Sequence, residues 1–184
     1  AVRPHLDLQN IIHWVKSIAI EKSLAGSRSG LQDDLAVGHY KPINSTRFLN
    51  DCHEFVFHFS RTGHTPIDRK AVGVKYQDKS NVTRWQQGGG SDLRCRGNTW
   101  FLPYDTIQSR DKERPHPATF PWRLPAYCIR LHGVERAHTV LDPFLGLGST
   151  AIAAGKLGLN FVGIEMDEYY LNEAVDRIKA LTRA

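Results

Sequence analysis

The spacing of apolar positions along the chain changes near residue 116. Leu8 to Ile20 (LQNIIHWVKSIAI) is dense in β-branched and aromatic residues and predicts a strand. Residues 23–34 are rich in Gly, Ser and Asp and predict a loop. Phe55 to Phe59 (FVFHF) predicts a second strand bounded by Glu54 and Ser60, one that can pair with the first across a long connection. From 61 to 115 turn residues recur at Gly63, Pro66, Gly73, Gly88-Gly89-Gly90, Gly97 and Pro103, so short strands and loops are expected there. Beyond that point the texture is helical and parallel. Leu124–Leu131 predicts a helix, announced by Pro117 and Pro121. Thr139-Val140-Leu141 predicts a strand, Ser149–Leu157 a helix, Phe161–Ile164 a strand and Asp167–Leu181 an amphipathic helix. Strand, helix, strand, helix in that order is a βαβ unit on a parallel sheet, so the fold class expected is α/β.

Composition narrows the class. Of 184 residues, 41% are hydrophobic and 23% charged, which excludes a disordered chain and allows one real core. No apolar run approaches the length of a membrane-spanning helix. The first residues, Ala-Val-Arg-Pro-His, lack the basic-then-apolar pattern of a secretory leader. Three scattered cysteines, Cys52, Cys95 and Cys128, do not make a disulfide framework, and a reduced, cytoplasmic setting is expected. Cys128 and His132 share a helix face, but no further ligands converge by spacing, so Cys128 is read as core and no metal site is assigned.

Charge is localised. Between residues 60 and 96, Arg61, Arg69, Lys70, Lys75, Lys79, Arg84, Arg94 and Arg96 face only Asp68, Asp78 and Asp92, which accounts for the whole chain's net charge of +5. Asn81, Trp85, Gln86 and Gln87 are interleaved. Cations with amides and an aromatic among them suit phosphate and base-edge contact, so a nucleic acid is one reading of this segment and an ordinary solvated loop region the other. Trp85 is the tryptophan best placed against a base; Trp14, Trp100 and Trp122 are read as packing.

The most informative stretch is Val140-Leu141-Asp142-Pro143-Phe144-Leu145-Gly146-Leu147-Gly148-Ser149-Thr150-Ala151, a strand running into glycines and then a helix. Glycines let the backbone bend sharply and come close to a ligand, and Ser149 or Thr150 can cap the helix. Glu165 ends the next strand, where a carboxylate can accept hydrogen bonds from ribose hydroxyls. Gly146-x-Gly148-x-x-Ala151 also fits the fingerprint of NAD or FAD modules, which stand as the alternative. Asp142 argues for another ligand: an acid at the mouth repels a pyrophosphate and attracts a cation such as the sulfonium compound S-adenosylmethionine.

With these motifs in hand the chain resembles the DNA methyltransferases that modify adenine N6 or cytosine N4. Asp142-Pro143-Phe144-x-Gly146-x-Gly148-Ser149-Thr150 is similar to their cofactor motif, and Gly163-Ile164-Glu165-x-Asp167-x-x-Tyr170 to their ribose-binding strand end. Arg114-Pro115-His116-Pro117-Ala118-x-Phe120-Pro121 resembles the block that closes over the same cofactor. Asn98-Thr99-Trp100-Phe101-x-Pro103-Tyr104 and His53-Glu54-Phe55-Val56-Phe57 resemble flanking segments. The resemblance implies a partial Rossmann-like sheet with a basic insert, S-adenosylmethionine as cofactor, and a setting in restriction–modification. It implies that His116, Ala118, Phe120, Pro121, Asp142, Pro143, Phe144, Gly146, Gly148, Ser149, Thr150, Glu165 and Asp167 line the cofactor. It implies double-stranded DNA as the partner, met by Arg61, Lys70, Lys75, Lys79, Arg84, Trp85, Arg94 and Arg96. Three segments are expected: N-terminal strands over 1–60, target recognition over 61–115 and cofactor binding over 116–184.

The family's catalytic motif places a polar acceptor before two adjacent prolines and an aromatic, to orient the target amino group and stack the flipped base. None of the nine prolines here is next to another. No catalytic residue is therefore assigned, and the chain is expected to be inactive alone. Its sheet halves would expose unpaired strands, to be met by a second chain, by self-association or by direct closure.

Overall fold

A computed structural model describes residues 5–27, 29–38, 44–78, 92–104 and 119–181. The chain divides into two compact units, one from residues 1–65 and 97–106, the other from residues 66–96 and 107–184.

In the first unit, β1 (Asp7–Val15) lies between β4 (His53–Ser60), antiparallel, and β7 (Thr99–Phe101), parallel. Alternation along β1 explains its central place. Ile12 and Trp14 are buried, and Trp14 stands beside Trp100 in the β1–β7 register. Both indoles are satisfied: Trp14 Nε1 donates to the Leu102 carbonyl at 2.8 Å and Trp100 Nε1 to the Gly97 carbonyl at 3.1 Å. The opposite strand face carries Ile11 and His13 opposite Phe57 and Phe55, and both phenylalanines are exposed. The β1–β4 register slips between Leu8 and Asn10. Gln9, at the slip, holds the turn after β4: its Oε1 accepts from Ser60 Oγ at 2.8 Å and from the Thr65 N–H at 3.1 Å.

The long strand expected over 8–20 is two strands. It breaks at Lys16, whose N–H donates to the Cys52 carbonyl at 2.7 Å, and resumes as β2 (Ser17–Ile20) paired antiparallel with β3 (Leu35–Gly38). A β-carbon on Gly38 would meet the Lys16 carbonyl oxygen at 2.3 Å, so the chains can approach here only through glycine. The expected 23–34 loop begins inside a single helical turn, α1 (Lys22–Ala25), stopped at Gly26.

In the second unit, α2 (Arg123–His132) is followed by a 3₁₀ turn (Val134–Arg136), β8 (Thr139–Asp142), α3 (Ser149–Lys156), β9 (Asn160–Gly163) and α4 (Glu168–Leu181). β8 and β9 are parallel, so the expected βαβ unit forms. Ala126, Ile129 and Ala153 make its core, with Trp122, Val134, Val140 and Leu157 packed around them. Small residues on α2 and α3 let those helices come close. Residues 66–96 belong to this unit. Their strands β5 (Val74–Lys75) and β6 (Leu93–Arg94) pair antiparallel, the Asp68 N–H donates to the Leu131 carbonyl at 2.7 Å, and Arg96 Nε donates to the Val72 carbonyl at 2.9 Å.

The described strands form four separate sheets. Parallel strands are ordinarily covered on both faces. Here Val140 is packed, while Leu141 and its register partner Val162 are 62% and 52% exposed. The apolar pattern of β8 and β9 therefore exceeds what the described residues cover.

Burial pushes the Cys128 thiol up to about 11, against a backbone hydrogen bond that pulls the other way. Since the thiolate is the reactive form, iodoacetamide at pH 8 is expected to label exposed Cys95 and leave Cys128 intact, as read by peptide mass spectrometry. Equal labelling of the two in the native chain contradicts the packing described for α2.

Candidate cofactor site at the ends of the parallel strands

The carboxyl ends of β8 and β9 are joined beyond their ladder. The Ile164 N–H donates to the Asp142 carbonyl and the Leu145 N–H to the Ile164 carbonyl, both at 2.9 Å. Leu145 is buried, and its side chain fills the place a β-carbon on Gly163 would take, 2.8 Å away. The chain then reverses: the Gly148 N–H donates to the Leu145 carbonyl at 2.9 Å, with Gly146 at φ +51°. Among the described residues no non-glycine has positive φ, so only the first central residue of this turn is left-handed, the pattern of a II′ turn. Gly148, at φ +77°, starts α3.

The two glycines serve different needs. A β-carbon on Gly146 would point into open space, with nothing within 4 Å. One on Gly148 would stand 3.1 Å from the β-carbon of Ala174 on α4. Gly146 leaves room on the outer side of the turn, whereas Gly148 lets α4 come close beneath it.

Carboxylates surround the turn. Asp142, half-buried at the end of β8, accepts the Phe144 N–H through Oδ1 at 3.0 Å. Glu165, just past β9, accepts the Gly146 N–H at 2.7 Å through Oε2, and the N–H groups of Met166 and Asp167 at 2.9 and 3.0 Å through Oε1. Asp167 Oδ1 accepts from Tyr169 and Tyr170 N–H at 2.9 and 3.3 Å and so starts α4. Phe144 and Met166 are 88% and 99% exposed, and Ile164 is exposed as well. Pro143 is exposed beside Phe144, and Thr150 is half-buried on the first turn of α3. Exposed apolar residues thus flank the acidic groups and the glycine turn along the chain.

The expected serine cap is corrected. α3 has no side-chain cap; Gly148 occupies that position. Ser149 is buried and donates through Oγ to the Phe120 carbonyl at 2.8 Å, because its side chain faces the 120 segment instead of the helix end. This bond brings Phe120 to the start of α3, with buried Pro121 next to it. His116 and Ala118 lie outside the described residues.

Of the cations expected at DNA, Arg61 is exposed in the first unit. Lys70, Lys75 and Arg94 are exposed on or beside the β5–β6 pair of the second. Arg96 turns inward: besides the Val72 carbonyl, its Nη2 donates to the Tyr127 hydroxyl at 3.3 Å and its guanidinium lies over that ring. Lys79, Arg84 and Trp85 lie outside the described residues. Sequence reasoning missed Arg177, whose Nη1 donates to the Leu147 carbonyl in the turn. An arginine on a polar helix face carries no pattern that foretells such a contact.

The sequence profile of the N6/N4 DNA methylase family matches residues 3–176, and the chain belongs to this family. It is similar to the type II methyltransferase M.ScaI of Streptomyces caespitosus, at 45% identity over 54% of this chain and 36% of that protein. The chain spans about a third of the length of the curated relatives it matches. Its fold is similar to the solved PvuII DNA methyltransferase described as cytosine-N4-specific (TM-score 0.58, 16% identity, 94% of this chain and 51% of that one). It is similar as well to the M1.HpyAVI–SAM complex (TM-score 0.50, 20% identity, 94% of this chain and 63% of that one). The mixed α/β class and the Rossmann-like unit expected from the sequence are borne out.

The turn geometry makes an ordering prediction. Gly148→Ala adds a close contact to left-handed backbone strain, whereas Gly146→Ala adds the strain alone, roughly 1–2 kcal/mol. Urea midpoints are expected to fall further for Gly148→Ala, and the reverse order contradicts the packing of α4 under the turn.

Proposed function

We propose that this chain is the cofactor-binding and target-recognition portion of an S-adenosylmethionine-dependent DNA amino-methyltransferase, acting on adenine N6 or cytosine N4. The observation that carries the reading is the carboxylate pair, Asp142 and Glu165, flanking a glycine turn that is open on its outer side. An ionised carboxylate only accepts hydrogen bonds, which suits ribose hydroxyls at Glu165 and a cationic donor near Asp142, and disfavours the pyrophosphate of a dinucleotide. The exposed Phe144, Ile164 and Met166 rim offers apolar surface for a base. Family membership and the similar fold of the M1.HpyAVI–SAM complex support the same cofactor. When bound, it supplies an electrophilic methyl group on sulfur. The task left to this chain is to hold and orient it: Gly146 and Gly148 at the floor, Glu165 at the ribose, and the segment through His116, Ala118, Phe120 and Pro121 on the other side. An exocyclic amino nitrogen is itself a nucleophile, so no covalent link between protein and base is required.

Lys70, Lys75 and Arg94, with Arg61, Lys79, Arg84 and Trp85, are proposed to meet DNA phosphates and bases, while Arg96 holds their segment against Tyr127. The catalytic two-proline motif is proposed to come from polypeptide outside this sequence, in the same longer protein or in a second chain. The match to the curated relatives, which covers about a third of their length, supports this.

Calorimetry is expected to detect S-adenosylhomocysteine binding to the chain, with no tritium transferred from labelled S-adenosylmethionine to DNA. Glu165→Ala should weaken that binding by roughly 1–3 kcal/mol. An unchanged dissociation constant rejects the ribose role, and measurable transfer by the chain alone rejects the requirement for a further catalytic segment. DNA affinity should fall steeply with salt; a flat response removes the basic segment from the reading.

A further inference from the structure

Two glycines within three residues leave a turn with more conformational freedom than a binding site tolerates, because every conformation lost on binding costs affinity. Something must hold this one. Leu145 is fixed by its backbone bond to Ile164 and its side chain against Gly163. The next two residues are held by side chains from two different elements, the end of β9 and α4. Glu165 Oε2 takes the Gly146 N–H at 2.7 Å, and Arg177 Nη1 donates to the Leu147 carbonyl.

We propose that Arg177 is a positioning residue for the glycine turn, gripping it at Leu147 while Glu165 grips it at Gly146, so that the turn is shaped before a ligand arrives. The proposal rests on the reading of this turn as the cofactor seat and gives Glu165 a task beyond the ribose. Helical spacing explains how α4 reaches the turn. Ala174, Arg177 and Ile178 share one face. Ala174 is fully buried, with its small side chain against Gly148, and Ile178 joins the cluster of Leu145, Ala151 and Ala174. With the helix seated so close, the long side chain at 177 spans to the carbonyl. Burial lowers the guanidinium from its usual range, and Glu173, one turn earlier, opposes that effect. A guanidinium still carries its charge at neutral pH, so the bond to Leu147 is charge-assisted and stronger than a neutral one.

The test combines amide exchange and calorimetry on Arg177→Met, Arg177→Lys and, as an exposed control on the same helix, Asp176→Asn. In Arg177→Met the amides of Gly146 and Gly148 should exchange about tenfold faster, and S-adenosylhomocysteine should bind about tenfold more weakly, as expected for losing a hydrogen bond to a charged group. Amides of α2, in the same unit but away from the turn, should keep their protection, which separates a local grip from general destabilisation. Arg177→Lys keeps a charged donor and should recover most of both effects; Asp176→Asn should change neither. If Arg177→Met does not fold, Arg177→Ala, which also lacks a donor, is read the same way. Unchanged turn exchange in the donor-less variant overturns the proposal whatever the binding result. If the parent chain binds no S-adenosylhomocysteine, the cofactor reading fails separately, and exchange alone decides the grip.

Discussion

The structure depends on a short set of hydrogen bonds that knot the end of β8 to the end of β9. Two backbone bonds, Ile164 to Asp142 and Leu145 to Ile164, carry the parallel pairing one step past the strands. Glu165 then closes the knot from its side chain onto Gly146. Because these bonds sit where two strands end together, they turn a flexible glycine run into a defined edge. Leu145 under Gly163 and Ala174 under Gly148 show the same constraint in packing: side-chain volume is removed where the turn must lie close and present where it must be pinned.

That knot explains how one short region can serve binding. The carboxyl ends of parallel strands are where helix starts and loops converge, and where α/β folds place their ligands. Asp142 and Glu165 bring negative charge to that edge, and Phe144, Ile164 and Met166 bring exposed apolar surface. Exposed apolar groups of that size are unfavourable in water and are informative when they ring polar ones. The uncovered face of Leu141 and Val162 is a different matter. It is a strand surface of the kind that other elements cover in a layered sheet.

Much of the second unit was legible in the sequence because its signals are local. Apolar runs of strand length, helical spacing and glycines after a strand place β8, α3, β9 and α4 within a residue or two of where they fall. The first unit was less legible. Leu8–Ile20 reads as one strand, since nothing in the letters marks Lys16 as the point where the backbone turns to Cys52. β3 was missed because four residues ending in glycine carry little strand signal, and their pairing with β2 is a non-local fact. The placement of Asp142, Gly146, Gly148 and Glu165 around the turn was legible from residue type and spacing. The destinations of Ser149, Arg96 and Arg177 were not: a hydroxyl or guanidinium meets whichever acceptor tertiary packing brings within reach.

The central claim is that acidic groups and a glycine turn form a seat for a positively charged methyl donor. Crystals grown with S-adenosylhomocysteine test it most directly. The account predicts its ribose against Glu165 and its remaining length along Gly146 and Gly148 toward Asp142. A ligand bound elsewhere on the chain, or a phosphate-bearing nucleotide occupying that edge in competition, would contradict it.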